Sequence, residues 1–141
     1  YSVIAVDAKG DIVGFILAQL LRYPDQCEDK GLFTLPEPET VCYILTLGCK
    51  QEYRRAGLGS ALIDRVKAFA QSTKTCGCVY LHVIHYNTAA IQFYNKNQFE
   101  QVRYMDDFYF IEEKYFAAYL YVFYLPNFQP SLWHQWYKGI R

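Results

Sequence analysis

Apolar residues in the first fifty positions follow the spacing of β-strands. Tyr1–Val6 and Ile12–Leu20 are rich in β-branched and aromatic residues, and the turn-forming residues 7–11 between them predict a hairpin. Val41–Cys49 is almost entirely apolar, which is typical of a strand buried on both faces. The intervening Arg22–Thr40 carries three prolines and several acids, so we expect a long loop there.

From Leu58 onward the apolar spacing becomes helical. One stripe of the predicted helix holds five apolar residues, while the charged residues fall elsewhere: Leu58, Leu62, Val66, Phe69 and Ala70. Residues 72–77 end this helix, and Val79–Ile84 predicts a short strand.

A second, shorter helix and two strands complete the pattern. Asn87 or Thr88 can cap the helix, and Phe99–Tyr104 and Tyr115–Leu125 predict the strands. The order β-β-β-α-β-α-β-β indicates an α/β domain. Since it contains hairpins as well as strand–helix–strand units, its sheet is expected to be mixed.

Composition removes several classes of protein. The chain of 141 residues suits one domain, and its 14 basic and 14 acidic residues give no net basic field for nucleic acid. The aromatic content of 18% predicts an aromatic-lined core or groove. The longest apolar run, Tyr115–Leu125, is shorter than the roughly 20 residues that span a bilayer, and no signal peptide is visible.

The five cysteines indicate neither a disulfide framework nor a metal site. They are scattered, and the close pair Cys76 and Cys78 has no second pair with zinc-ligand spacing. We therefore expect no metal and the reduced thiols of an intracellular protein.

The segment from Arg54 to Gly59 carries the clearest chemical signal. It follows an apolar strand and opens a helix, and its two glycines let the backbone turn tightly beside arginines. Helix N-termini bind pyrophosphate through free N–H groups and the helix dipole. A P-loop would require a lysine after Gly59, and a dinucleotide fingerprint would require glycine at Leu62. Both are absent.

The strand, this turn and the helix resemble the acetyl-CoA motif of the GNAT acetyltransferase superfamily. Tyr80-Leu81-His82-Val83, followed by Asn87, Ala90, Phe93-Tyr94 and Phe99, is similar to the superfamily's later strand–helix–strand unit. Together with Tyr43–Gly48, these residues resemble N-terminal protein acetyltransferases of NatE and NatF type. The long loop, the aromatic last strand and Asn97-Gln98-Phe99 favour NatF.

The resemblance extends from Val3 to about Leu125 and is strong only from Tyr43 onward. It implies a GNAT fold, with a twisted, mixed and mostly antiparallel sheet flanked by helices. It also implies that the superfamily's first strand and first two helices are absent from this chain. We expect the acetyltransferase domain over residues 1–127.

By the same resemblance, Tyr43, His82 and Tyr94 are the candidate catalytic residues. Tyr43 and His82 would form the base pair, with the imidazole as base and the phenol orienting a water, and Tyr94 would assist the leaving thiolate. Acetyl-CoA would be held by ten residues of the strand and turn, together with Asn87 and Tyr94: Leu47, Gly48, Cys49, Arg54, Arg55, Ala56, Gly57, Leu58, Gly59 and Ser60. Plain core packing is the alternative for each aromatic residue. Cys49 has no visible activating partner, so we expect direct transfer rather than an acetyl-cysteine intermediate.

Tyr104, Phe108 and Tyr109 lie where these enzymes place an aromatic wall against the substrate, beside Tyr43 and His82. Such a wall suits a protein N-terminus of Met followed by an apolar residue, and the alternative is an ordinary exposed hairpin tip. The expected activity is N-α-acetylation of protein N-termini. A lysine or small-amine acetyltransferase and a non-catalytic CoA- or peptide-binding subunit remain alternatives, and nucleic acid is not an expected partner.

The C-terminal segment, residues 128–141, could form an amphipathic tail. Leu132, Trp133, Trp136 and Ile140 would share one side of a helix, which suits a membrane interface. A tail folded against the domain explains the same residues equally well. NatF-type enzymes have a membrane-associating tail, so the resemblance predicts a cytoplasmic protein with peripheral contact to Golgi or other membranes.

Overall fold

The computed structural model describes residues 1–128, 130 and 131. Their elements are eight strands and helices joined by loops and one short 3-10 turn at Gln51–Tyr53: β1 (Ser2–Val6), β2 (Ile12–Arg22), β3 (Thr40–Cys49), α1 (Leu58–Ser72), β4 (Cys76–Ile84), α2 (Thr88–Lys96), β5 (Glu100–Ile111) and β6 (Lys114–Tyr124). The predicted element order is therefore confirmed. The predicted tail residues 132–141 lie outside the described residues.

The six strands form one mixed sheet in the order β1-β2-β3-β4-β6-β5. β3 and β4 are parallel, and the other four neighbouring pairs are antiparallel. The parallel pair arises because α1 carries the chain back to the start of the sheet between them. This topology confirms the predicted mixed, mostly antiparallel sheet.

The two helices cover one face of the sheet. Leu62, Ile63, Val66 and Ala70 of α1 are buried there against sheet residues such as Ile16 and Val79. The predicted stripe is confirmed at three of these positions, and Ile63 was not in it. Burying a side chain of this kind contributes about 1.5–3 kcal/mol, so this layer stabilises the scaffold that carries the groove.

The opposite face is covered in part by the connection between β2 and β3, residues 23–39, called here the 23–39 loop. Two residues of this loop, Leu32 and Phe33, are buried against the sheet. Their neighbours in this cluster include Val41, Tyr80 and Leu120. Hydrogen bonds hold it in place: the Tyr124 hydroxyl donates to the Leu32 carbonyl over 2.7 Å. A segment predicted only as a loop is thus a packed layer.

The late hairpin differs from its prediction. β5 continues to Ile111 instead of ending at Tyr104, and a two-residue turn at Glu112 and Glu113 joins it to β6. Both glutamates have positive φ, 49° and 64°, as a type I′ turn requires. Because such turns normally carry Asn or Gly, nothing in the local sequence marked the position of this turn.

Candidate active site

A groove of about 370 Å³ opens between β3 and β4. Pairing of the two parallel strands is recorded at Tyr43–Tyr80 and not beyond, so the strands separate toward their carboxyl ends. Register against β2 also shifts at this point, because Leu45 has no partner between Ile44 and Thr46. Residues of β3, β4, α2 and β5 line the opening: Ile44–Leu47, Leu81–Ile84, Tyr86, Asn87, Ala90, Tyr94, Tyr109 and Ile111.

The turn before α1 does not line this groove, and two residues with positive φ shape it. Arg55 has φ 66° and Gly57 has φ 86°, and α1 begins at Leu58. The first recorded bond of the helix runs from the Ala61 N–H to the Gly57 carbonyl, and no side chain caps this helix. The preceding N–H groups, of Leu58, Gly59 and Ser60, therefore have no partner within the helix. They are oriented for an anion at the positive end of the dipole.

The first residues of this turn are exposed, whereas Gly59 at its end is packed against α2. Arg54, Arg55, Ala56 and Gly57 are exposed, and the Arg54 Nε donates to the Cys49 carbonyl over 3.3 Å. A Cβ on Gly59 would lie 3.0 Å from Phe93 of α2. Gly59 therefore lies in close packing contact with α2. Gly57 provides a left-handed turn position that favours glycine.

The last residues of β3 face the groove with backbone donors. The Lys50 N–H donates to the Val13 carbonyl on β2 over 2.8 Å. Since successive N–H groups of a strand point to opposite sides, the Cys49 and Leu47 N–H groups point away from β2, toward the opening. A side chain on Gly48 would displace the ring of Phe15, which lies 2.6 Å from the position of a Cβ.

Tyr43 and His82 meet where β3 and β4 separate. The Tyr43 hydroxyl lies 2.8 Å from His82 Nδ1. Burial, with Tyr109 and nearby carboxylates as further causes, raises the pKa of Tyr43 to about 12. The phenol therefore keeps its proton at neutral pH, and the tautomer of His82 sets which of the two groups donates.

The other imidazole nitrogen faces Asp29 of the 23–39 loop. His82 Nε2 lies 3.0 Å from Asp29 Oδ2, and the two side chains are 6% and 4% exposed. The Nε2–H is not aligned with the oxygen well enough to count as a hydrogen bond, and it has no other described partner. Sequence reasoning did not identify Asp29, since one acid among several in a long loop carries no distinguishing pattern.

Two of the three predicted wall residues reach this site. Phe108 stacks on the His82 ring, with centroids 4.3 Å apart, and Tyr109 lines the groove. A bulge in β5 brings these two residues to the groove. Between Met105 and Tyr109 the pairing advances four residues along β5 but only two along β6. Tyr104 precedes the bulge, is 53% exposed and packs on Tyr119, so the structure does not bring it to the groove.

Asn87 and Tyr94 of the α2 segment line the groove on the helical side. The Asn87 side-chain oxygen accepts from the Ala90 N–H over 3.1 Å, which confirms the predicted cap. Tyr94 is buried against the rings of Phe93 and Phe99, and burial raises its pKa to about 12. Tyr94 therefore packs in the core and also lines the groove.

All five cysteines are free thiols. Burial raises the pKa of Cys49, and Arg54 opposes this only in part. An unactivated thiol agrees with direct transfer. Within the described residues no cluster of three metal-ligating side chains occurs, and no helix is long and apolar enough to cross a bilayer.

Comparison with known proteins gives the class to which this fold and groove belong. Residues 1–99 match the model of the acetyltransferase (GNAT) family. The chain belongs to the GNAT acetyltransferase family.

Within that family, the chain is similar to N-terminal acetyltransferases. It is 36% identical over 132 residues to N-alpha-acetyltransferase 60 of Xenopus tropicalis, and 36% identical over 121 residues to histone acetyltransferase MCC1 of Arabidopsis thaliana. These matches cover 90% and 84% of this chain but 54% and 49% of the relatives. The chain thus spans about half the length of the curated relatives it matches.

A solved structure supports the same placement. The crystal structure of Arabidopsis thaliana NAA60 in complex with a bisubstrate analogue superposes with a TM-score of 0.79 at 33% identity. The match covers 89% of this chain and 75% of that one. The GNAT fold predicted from the sequence is therefore confirmed.

Proposed function

We propose that the protein is an N-α-acetyltransferase that moves the acetyl group of acetyl-CoA directly to protein N-termini. The observation that carries this proposal is the Tyr43–His82 contact at the point where β3 and β4 separate. Similarity to N-alpha-acetyltransferase 60 and to the NAA60 complex with a bisubstrate analogue supports it. A non-catalytic binding subunit would need neither side chain in this arrangement.

The donor would be held by the backbone of the turn. The free N–H groups at the start of α1, with Arg54 and Arg55 beside them, suit the pyrophosphate of acetyl-CoA. The Leu47 and Cys49 N–H groups are available to the thioester carbonyl, where negative charge develops during attack. Asn87 would contact the pantetheine arm.

The acceptor chemistry favours an α-amine. A protein α-amino group has a pKa of about 7.7–8.0, so a useful fraction is already neutral near pH 7, whereas a lysine amine titrates near 10.4. Tyr43 and His82 remove the remaining proton. The Tyr94 hydroxyl, with a pKa of about 12, would donate a hydrogen bond to the leaving thiolate.

Substrate preference is proposed from the aromatic side of the groove. Phe108 and Tyr109 offer apolar ring surface next to His82. This surface suits a substrate that begins with Met and an apolar residue. Tyr104 would contribute only if it bound residues further along the peptide.

A lysine acetyltransferase is the second candidate, because one relative is named a histone acetyltransferase. Acetyl transfer to a peptide library, with mass spectrometry locating the acetyl group, separates the two functions. We expect the group on the α-amine of Met-Leu peptides, ahead of Met-Lys and Ser-Glu. Modification of lysine side chains alone would establish the second candidate instead.

The same assay tests the two central side chains. His82→Ala and Tyr43→Phe should each lower turnover by about 10²-fold or more, while acetyl-CoA binding stays intact. Near-normal turnover in both variants would contradict the proposed site.

Membrane contact is proposed from the sequence of residues 132–141 alone, which lie outside the described residues. The apolar residues Leu132, Trp133 and Trp136 would rest in the interface of a cytosolic membrane face, such as that of the Golgi. Liposome flotation with and without these ten residues tests this. Equal flotation of the two proteins would end the proposal.

A further inference from the structure

Lys67 of α1 is a partly buried cation that does not line the groove. Its ammonium donates to the Asn97 carbonyl over 2.6 Å. It also lies 4.0 Å from the ring centroid of Phe123 and 5.3 Å from that of Phe99. Burial lowers the pKa of Lys67, and Asp64 opposes this. The carbonyl and the two ring faces offset the cost of taking the charge out of water.

The neighbouring helix α2 carries part of the groove but is lightly anchored. Tyr94 is its one buried residue, whereas α1 has four. Three other apolar residues of α2 are only partly buried against the core: Ala90, Ile91 and Phe93. Asn87, which caps α2, and Tyr94 both line the groove. The positions of these two side chains therefore depend on the contacts that hold the ends of α2.

Two contacts join α2 to α1. Gly59, in the first turn of α1, lies against the ring of Phe93. About two turns further along α1, Lys67 reaches the carbonyl of Asn97, which follows the last residue of α2, at the negative end of its dipole. Asn97 is bonded back to the helix, because its Nδ2 and its backbone N–H donate to the Phe93 carbonyl over 2.9 Å and 3.1 Å. Lys67 thus restrains the end of α2 whose ring packs on the turn before α1.

We propose that Lys67 is a positioning residue for acetyl-CoA, which fixes α2 against α1 so that both helices present their groups to one donor molecule. The N–H groups at the start of α1 would hold the pyrophosphate, and Asn87 of the α2 segment would contact the pantetheine arm. Without the restraint, α2 is displaced for part of the time, and binding has to restore its position. This inference deepens the proposed function and rests on its placement of acetyl-CoA.

Lys67→Met tests the restraint, because it removes the cation and keeps an apolar side chain of similar length. If α2 is displaced in about 80–90% of the variant molecules, the dissociation constant for acetyl-CoA, measured by calorimetry, should rise about five- to tenfold. The KM for acetyl-CoA should rise in parallel. Peptide KM, and kcat at saturating acetyl-CoA, should stay within about twofold, since the bound donor restores the position of α2. Lys67→Arg keeps a cation for the same rings and should recover most of the affinity.

Lys96→Met is the matched control for charge, since Lys96 is the basic residue in the last turn of α2 and is exposed. Ile63→Val is the control for stability, because it shortens a side chain on the buried face of α1. Both variants should bind acetyl-CoA within about twofold of the wild type. Hydrogen exchange of the α2 amides should be faster in Lys67→Met than in either control, and thermal melting compares the loss of stability.

Three results would overturn the role of Lys67: wild-type affinity in Lys67→Met, an equal loss of affinity in either control, or no recovery in Lys67→Arg. If Lys67→Met does not fold, Lys67→Gln takes its place, because it keeps a donor for the carbonyl and removes only the charge; unchanged affinity in that variant counts against the role equally. A wild type that binds acetyl-CoA but acetylates no peptide overturns the proposed function alone, and the binding comparison still decides the role of Lys67. A wild type that does not bind acetyl-CoA overturns both.

Discussion

Replacing Gly57 by alanine tests the backbone geometry of the turn from Arg54 to Gly59, the proposed pyrophosphate site. Gly57 has φ 86°, and a Cβ built on it would meet nothing within 4 Å. The substitution therefore introduces no clash, only the cost of a left-handed conformation in a residue with a side chain. That cost is about 1–2 kcal/mol. For a domain of this size, it corresponds to a fall in Tm of roughly 3–8 °C.

The chain offers a matched control at Gly10. This glycine has φ 88° and equally open surroundings, and it lies in the β1–β2 turn. Gly10→Ala should therefore lower Tm by a similar amount. Only Gly57→Ala should affect the N–H groups at the start of α1.

Binding of acetyl-CoA separates the two variants. If relaxation of the Gly57→Ala turn removes one hydrogen bond to a charged phosphate, the loss is about 1.5–3 kcal/mol. The dissociation constant should then rise roughly 10- to 150-fold. Isothermal titration calorimetry at 15 °C, where both variants remain folded, measures this. Equal affinity in Gly57→Ala, Gly10→Ala and the wild type would refute the assignment of this turn as the pyrophosphate site.

Two further predictions concern Arg55 of the turn before α1 and Tyr94 of the groove. Arg55→Gly should weaken acetyl-CoA binding about five- to tenfold and reduce its salt dependence. Its Tm should hold or rise slightly, because glycine adopts φ 66° without strain; titrations at two salt concentrations and a melting curve measure both effects. Tyr94→Phe should lower kcat about tenfold with acetyl-CoA affinity unchanged. The free energy of unfolding should also fall less steeply with pH above pH 10 in this variant, since burial raises the pKa of Tyr94 to about 12 in the wild type.

The sign of that pH dependence follows from the two states. The unfolded chain releases the Tyr94 proton near pH 10, whereas the folded protein keeps it until about pH 12. This contribution to stability is fully present below pH 10 and is lost as the pH rises through 12. An unchanged alkaline slope in Tyr94→Phe would contradict the burial argument. Unchanged salt dependence in Arg55→Gly would remove Arg55 from the phosphate site.

Most of the fold could be predicted because its elements have strong periodic patterns. The α1 stripe reflects burial on one face of the helix. The apolar run of β3 identified the strand, but it is buried only at Val41, Cys42 and Ile44, and Leu45 is exposed. The β5–β6 strand pair was predicted, but its tight turn was placed too early because Glu112 and Glu113 adopt positive φ without Gly or Asn. Tertiary pairing of the two long strands overrides the poor turn propensity there.

The candidate site was predictable to a lesser degree. The turn from Arg54 to Gly59 combines local backbone chemistry with a family motif, so its position could be read directly. Phe108 and Tyr104 are separated by four positions in the same aromatic segment, yet only Phe108 reaches His82. A bulge with two extra residues on β5 decides between them, and a bulge depends on pairing with β6.

The sequence by itself determined the order of elements, the mixed sheet and the position of the glycine turn before α1, because these depend on local periodicity and on residues adjacent in the chain. Only the tertiary structure decided that Asp29, 53 positions before His82, lies against its Nε2. It likewise decided that Gly59 packs closely against the ring of Phe93. Such contacts arise from the packing of the 23–39 loop and of two helices, which no spacing within one segment encodes.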